Sequence, residues 1–283
     1  MNNTMSMENQ IKMVYSSLTK TEKKVANYIL KNMENVYNQT LTQMSKSSHV
    51  GEATVMRFIY KLGYESLAQF KLAVAKDNFS KPDNQKYEDS NEGYAKKVYD
   101  LMLDTLKINS KETFKKVAEM IQNASHIYFC GNGTSGYAAQ VASYRFFRAG
   151  VPCESITDVH YMVMKSSVVH SDELIVAISL SGDNIDLINS VKRAKKKGCP
   201  IVTISGHRLT SLSEQGDINL YHAPLSLNDK SYYGGTTGIF LQEYLLELIF
   251  KEFEAMNPEQ VEQMHIATIE ATNRQHESLK EEE

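Results

Sequence analysis

The chain has 283 residues, 42% of them hydrophobic, enough for a sizeable core in one large domain or two smaller ones. No apolar run approaches the roughly 18–20 residues of a membrane helix; the most apolar late stretch, Gly238 to Phe250, is interrupted by Gln242, Glu243 and Glu247. The N-terminal MNNTMSMENQ has no basic stretch leading into an apolar one, and the three cysteines (Cys130, Cys153, Cys199) are scattered without a C-x-x-C. A reduced, cytoplasmic protein without a signal peptide, membrane partner or zinc site is expected. The formal net charge of −3 hides an asymmetry: residues 1–80 carry ten Lys/Arg against six Asp/Glu, and the remainder 21 against 28. A basic front and an acidic back suggest two modules with different partners.

In chain order, Thr19 or Thr21 can cap a helix through EKKVANYILKNM, whose Val25, Tyr28, Ile29 and Met33 form one buried stripe. Thr40 can cap a shorter helix, LTQMSKS. After Ser48-His49-Val50-Gly51 comes a third helix, EATVMRFIYKL, stopped by Gly63, with Val55, Phe58, Ile59 and Leu62 inward. Its other face is expected to show Glu52, Thr54, Arg57, Tyr60 and Lys61 to solvent. Two short helices and a tight turn have the layout of a helix-turn-helix, whose second helix enters the major groove. Arg57 is then the candidate for bidentate guanine contact and Thr54 for a base or phosphate, with Lys46, Lys61 and Lys71 on the DNA backbone. The same pattern also fits a generic small helical bundle with a solvated face.

The run LTKTEKKVANYILKN…TLTQMSKSSHVGEATVMRFIYKLGYESLAQFK resembles the N-terminal domain of RpiR-family bacterial transcription regulators. The match is carried by Glu52 to Phe58, Lys61 to Tyr64, Phe70 and Lys71. Where that family shows Ser-Gly-Val-Ser, this chain has Ser48-His49-Val50-Gly51. His49 stands where glycine would take positive φ, which His tolerates better than most residues. Gly51 replaces a serine cap. The resemblance implies a helix-turn-helix DNA-binding domain over residues 1–79.

Residues 80–93, SKPDNQKYEDSNEG, hold Pro82 and Gly93 among polar residues and read as a linker. Residues 94–124 read as two amphipathic helices. Then strands alternate with helices: HIYFC; a helix from about Tyr137 to Arg148; Pro152 to Ile156; Asp172 to Ser179; a helix over 185–197; Pro200 to Ser205; Asp217 to His222. The fold class is therefore α/β with a separate all-α domain: a helical bundle in front and, over 94–283, a parallel sheet flanked by helices. Ligands of such sheets bind beyond the carboxyl ends of the strands.

Those ends are rich in small and hydroxyl residues. The first strand runs into Gly131-Asn132-Gly133-Thr134-Ser135, and the third into Ser179-Leu180-Ser181-Gly182-Asp183-Asn184. Backbone N–H groups at helix N-termini suit an anion, and hydroxyls add hydrogen bonds. Gly131, Gly133 and Gly136 also form a G-x-G-x-x-G, and Glu154 and Asp158 lie near the place of the acidic residue a dinucleotide fold needs. That reading leaves SLSGDN without a role.

GNGTSGYAA and SLSGDN resemble the two signature loops of the SIS (sugar isomerase) domain, over about residues 110–225. RpiR regulators are a fusion of these two modules in this order. The resemblance implies a phosphosugar held by Gly133, Thr134, Ser135, Ser179 and Ser181, with Asn184 standing where SIS proteins usually carry Thr. It further implies a DNA-binding regulator of sugar metabolism, a repressor rather than an activator, that is not an enzyme and needs no cofactor or metal. Its partners would be an operator duplex, a sugar phosphate and further copies of itself in a homodimer or homotetramer. Two alternatives stay open: an isomerase or lyase using His160, His170, His207, His222 or Glu243 as base, and a regulator sensing a dinucleotide.

Overall fold

The computed structural model describes residues 5–80, 90–225 and 236–281. Of the segment assigned as linker, residues 81–89 lie outside these. The chain divides into two compact units. The first takes in the described residues of Met1–Ile108, Gly206–Thr210 and His222–Tyr233; the second those of Asn109–Ser205, Ser211–Tyr221 and Gly234–Glu283.

The helical unit opens with α1 (Met7–Val14), then α2 (Lys20–Lys31), α3 (Met33–Val36), α4 (Leu41–Ser48), α5 (Glu52–Lys61), α6 (Leu67–Ser80) and α7 (Asn91–Ile108). Thr19 and Thr40 each close a capping box, with Glu22 and Gln43 answering three residues later. The core joins Val25 and Ile29 of α2, Met44 of α4, Val55, Phe58 and Ile59 of α5, and Phe70 and Val74 of α6. The sequence reading has no helix before Thr19; α1 nevertheless adds Met7, Ile11 and Val14 to this core. Lys61 Nζ bonds Glu22 Oε2 at 2.9 Å and the Ser17 carbonyl at 3.0 Å, fastening the end of α5 to the start of α2.

The second unit is built on β1 (Ile127–Gly131), β2 (Cys153–Ile156), β3 (Leu174–Ser179), β4 (Ile201–Ser205) and β5 (Ile218–Tyr221). All are parallel, in the order β2-β1-β3-β4-β5. β1, β3 and β4 are buried along their whole length, which is why they appear in the sequence as mostly apolar runs. On one face lie α8 (Lys111–Asn123), α9 (Thr134–Arg148) and α12 (Thr237–Met256), sharing a core of Phe114, Phe129, Phe146, Val176 and Phe250. On the other lie α10 (Val159–Lys165) and α11 (Ile185–Lys196), packed through Met162, Leu187 and Val191 on Tyr128 and Ile175. A last helix, α13, spans Pro258–Glu281. No helix among the described residues is long and apolar enough to cross a membrane.

Candidate functional site

The strand order reverses direction between β1 and β3: from β1 the chain goes outward to β2, then returns to β3 on the other side. Such a switch point opens a crevice at the carboxyl ends of the two strands. Both glycine- and serine-rich loops stand there. Gly131 is in register with Ile178, next to Ser179, and Ser179 is in register with Ser205.

In the first loop each glycine has a separate steric reason. A Cβ on Gly131 would sit 2.5 Å from the Ser135 carbonyl oxygen, so only glycine lets α9 start so close to the strand. Gly133 caps α9 at φ 57° and ψ −128°, a conformation that side chains disfavour. A Cβ on Gly136 would press on the Gly131 carbonyl and the Thr157 side chain, both at 3.1 Å. Thr134 is exposed at the first turn of α9, whereas Ser135 is 5% exposed and accepts a hydrogen bond from Gln242 Nε2 of α12 at 3.1 Å.

The second loop is shaped by its own hydroxyls. Ser179 Oγ accepts from the Gly182 N–H at 3.1 Å, and Ser181 Oγ from the Asp183 N–H at 3.2 Å. Gly182 takes φ 73°, and its carbonyl accepts from the Leu212 N–H. Asn184 is the N-cap of α11: its Oδ1 accepts from the Leu187 N–H at 2.9 Å. The capping task falls to Asn184, not to its exposed neighbour Asp183. A serine hydroxyl that accepts once still has its own hydrogen to give. The two loops thus present hydroxyl hydrogens and helix N-termini, with no cation within either loop.

The acids that a dinucleotide site would use are otherwise engaged. Asp158 caps α10 through the Tyr161 N–H at 2.7 Å. Glu154 lies inside β2 and accepts from the Tyr161 hydroxyl at 3.3 Å.

The candidate bases are dispersed. His160 and His170 are exposed. Burial raises the Glu243 carboxyl above its ordinary value. His207 and His222 belong to the helical unit. There His207 Nδ1 lies 2.9 Å from the Lys12 carbonyl, and the neighbouring Arg208 N–H donates to Met13. His222 is wholly buried, with Nδ1 bonded to the Ala223 carbonyl at 2.9 Å. Burial pulls its ring down to about 4, the nearby His207 adding to the effect, so it is neutral at pH 7.

In the helical unit, α4, the turn His49-Val50-Gly51 and α5 form the helix-turn-helix. His49 takes φ 54° as the left-handed C-cap of α4, and Gly51 caps α5 without a side-chain bond. Lys46, Glu52, Arg57 and Tyr60 are exposed. Glu52 accepts from the Thr42 hydroxyl at 2.6 Å, a link between the two helices. Two expectations are corrected. Thr54 is 8% exposed rather than outward, because it precedes Phe58 by four residues and shares its face; its hydroxyl receives Arg57 Nη2 at 3.2 Å. Lys61 is half-buried and spent on Glu22 and Ser17 instead of facing outward.

Comparison with known proteins agrees with both halves. A model of the rpiR-family helix-turn-helix domain matches residues 5–81. A model of the SIS domain matches residues 120–245. An uncharacterized HTH-type transcriptional regulator of Clostridium perfringens is 32% identical over 245 residues, covering 83% of this chain and 87% of that protein. One from Thermotoga maritima is 29% identical over 271 residues, covering 92% and 96%. Among solved structures, the Vibrio vulnificus NanR protein complexed with ManNAc-6P superposes with a TM-score of 0.62 at 24% identity, covering 94% of this chain and 98% of that one. The sugar isomerase domain of an RpiR transcription factor from Sphaerobacter thermophilus superposes with a TM-score of 0.55 at 16% identity, over 64% and 96%. At those identities the structures show the fold. The chain belongs to the RpiR family of HTH-type transcriptional regulators, with the helix-turn-helix in front and a SIS domain behind.

Proposed function

We propose that the protein is a cytoplasmic repressor of sugar-metabolism genes, controlled by a sugar phosphate that it binds and does not convert. The observation that carries the effector reading is the pairing of two Ser/Gly loops on adjacent strands astride the switch point. Either loop alone would be a tight turn. Together they offer converging hydroxyls and backbone N–H groups to one acceptor-only anion. Ser135, Ser179 and Ser181 are the proposed phosphate ligands, with Gly133 and Thr134 supplying the mouth of the first loop. Asn184 acts by holding α11 in place. The solved NanR protein was obtained with ManNAc-6P, which makes hexosamine phosphates the first class to try.

Binding without conversion fits the chemistry beside the loops. Isomerisation needs a base within hydrogen-bond reach of the reacting carbon's proton. The group bonded to Ser135 is the amide of Gln242, which cannot take a proton.

Lys46, Glu52, Arg57 and Tyr60 are the proposed DNA-facing set, with Arg57 reading a base; Thr54 aims the Arg57 guanidinium and Lys61 holds α5 in place. One such head reads too few base pairs to be selective, so at least a dimer is proposed. The outer face of α9 supports it. Tyr137, Val141, Tyr144 and Phe147 recur at helical spacing and stay exposed, Tyr144 by 66%, an apolar stripe suited to a second copy of the same unit. Ligand binding can change DNA affinity only by favouring one arrangement of the heads over another.

The test is capture of genomic fragments by the purified protein, followed by titration of hexose and hexosamine phosphates against the captured DNA. The reading requires that one sugar phosphate change DNA affinity while its unphosphorylated sugar does not. DNA affinity unchanged by any of them, or turnover of the one that binds, would contradict it.

A further inference from the structure

The buried face of α12 is apolar through Leu241, Leu245, Leu246, Ile249 and Phe250, except at Gln242, which is 1% exposed. A primary amide in a core is costly unless it is hydrogen-bonded. Leucine or methionine would fill a similar volume. The amide is directed at the first turn of α9, where its Nε2 donates to Ser135 Oγ at 3.1 Å. Ser135 is itself buried, and among the described residues its hydroxyl hydrogen meets no acceptor.

A serine hydroxyl rotates freely and can serve as donor or acceptor. Once Gln242 occupies one lone pair of Oγ, the hydrogen must turn away from the amide. It then remains available as a donor on the loop that closes the end of β1. A phosphate monoester has only acceptors to offer at its outer oxygens. A hydroxyl fixed in advance as donor loses no rotational freedom when such an anion arrives, and it favours an anion over a neutral sugar hydroxyl.

We propose that Gln242 is a positioning residue of the anion site: it holds Ser135 Oγ as an acceptor so that the hydroxyl presents its hydrogen to the phosphate of the effector. The proposal rests on the phosphosugar reading above. It adds a residue 107 positions away in sequence, on an element that neither signature loop includes.

The test uses the full chain, inorganic phosphate as probe at constant ionic strength, and affinities taken from the phosphate dependence of the melting temperature. Gln242→Met keeps the volume and removes the donor, so its packing is expected to survive. Gln242→Glu replaces the amide with an acceptor. Gln242→Met should weaken phosphate binding by about tenfold, Gln242→Glu by more, and Ser135→Ala by about as much as Gln242→Met. In the Ser135→Ala background, Gln242→Met should cost nothing further, because its effect passes through that hydroxyl. A purely structural role for Gln242 would leave phosphate affinity unchanged, or would add its loss to that of Ser135→Ala, and either result overturns the proposal while leaving the anion site standing. A wild-type protein indifferent to phosphate overturns the anion site itself, and the proposal with it.

Discussion

Lys61 Nζ lies 2.9 Å from Glu22 Oε2 and ties the end of the recognition helix α5 to the first turn of α2. Burial alone would raise the Glu22 carboxyl. The Thr19 backbone N–H, Lys61 and the Thr19 hydroxyl outweigh it and hold the carboxyl below its ordinary value. The pair therefore links the end of α5 to α2 beside the core contacts of Val55, Phe58 and Ile59. Removing the cation should strand a nearly buried carboxylate. Lys61→Met is expected to destabilise the helical unit by about 2 kcal/mol, a half-exposed partner giving less than a fully buried one. Arg57→Ala, by contrast, should leave the melting temperature in place and abolish DNA binding. Thermal melts and DNA titrations of both variants separate the two roles.

His222 makes stability depend on pH. Its ring titrates near 6.5 in an unfolded chain and is pulled down to about 4 in the fold. Between those values the unfolded state binds more protons. The stability associated with a neutral His222 is thus complete above about pH 6.5 and is lost as pH falls towards 4, by about 1.4 kcal/mol per pH unit. The raised Glu243 carboxyl acts in the opposite sense as pH falls, so the difference between wild type and a His222 variant, rather than the wild-type melt alone, reports the histidine. His222→Gln should flatten the profile in that window, and a variant as pH-dependent as the wild type would show that another group is responsible.

Gly131→Ala would place a methyl 2.5 Å from the Ser135 carbonyl oxygen. Backbone cannot yield as a flexible side chain can, so α9 must move away from β1 and carry Ser135 with it. The expected outcome is loss of the phosphosugar response with DNA binding retained. DNA titrations with and without effector read both at once.

Ser179→Ala combined with Ser181→Ala should likewise remove the effector response and spare DNA binding. The two hydroxyls also accept from the Gly182 and Asp183 N–H groups, so a loss of about 1 kcal/mol in stability should accompany the change. Equal damage to both activities from this variant and from Arg57→Ala would contradict a division of labour between the units.

The strands were legible in the sequence because parallel strands buried on both faces are near-continuous apolar runs, and LIVAIS and PIVTIS come close to that. The loops stood out because glycine and serine cluster at the ends of two strands, although either cluster alone fits a tight turn. What could not be read depends on distant parts of the chain. Strand order places β3 beside β1 and so brings the two loops to one crevice, and no local pattern states it. Lys61 looked like a free cation because Glu22 is 39 residues away. At Thr54 polarity points outward and the four-residue spacing from Phe58 points inward, and the spacing decides. Gln242 read as a mere break in a hydrophobic run, since its partner Ser135 lies across the fold. α1 is only eight residues long, so its apolar Met7, Ile11 and Val14 make too short a stripe to stand out in the sequence. His49 is the opposite case: it stands where the family carries a glycine of positive φ, and it adopts φ 54°.

The most direct measurement is a thermal-shift screen of the purified chain against hexose, hexosamine, pentose and N-acetylmuramic acid phosphates, the corresponding bare sugars, and NAD(H). A ligand at 100 times its Kd adds about 2.7 kcal/mol, a shift of a few degrees at this size. The account predicts a shift from a phosphorylated sugar, none from its bare counterpart, and none from either after Ser179→Ala with Ser181→Ala. A shift from NAD(H) alone, or one that persists in that double variant, would contradict it.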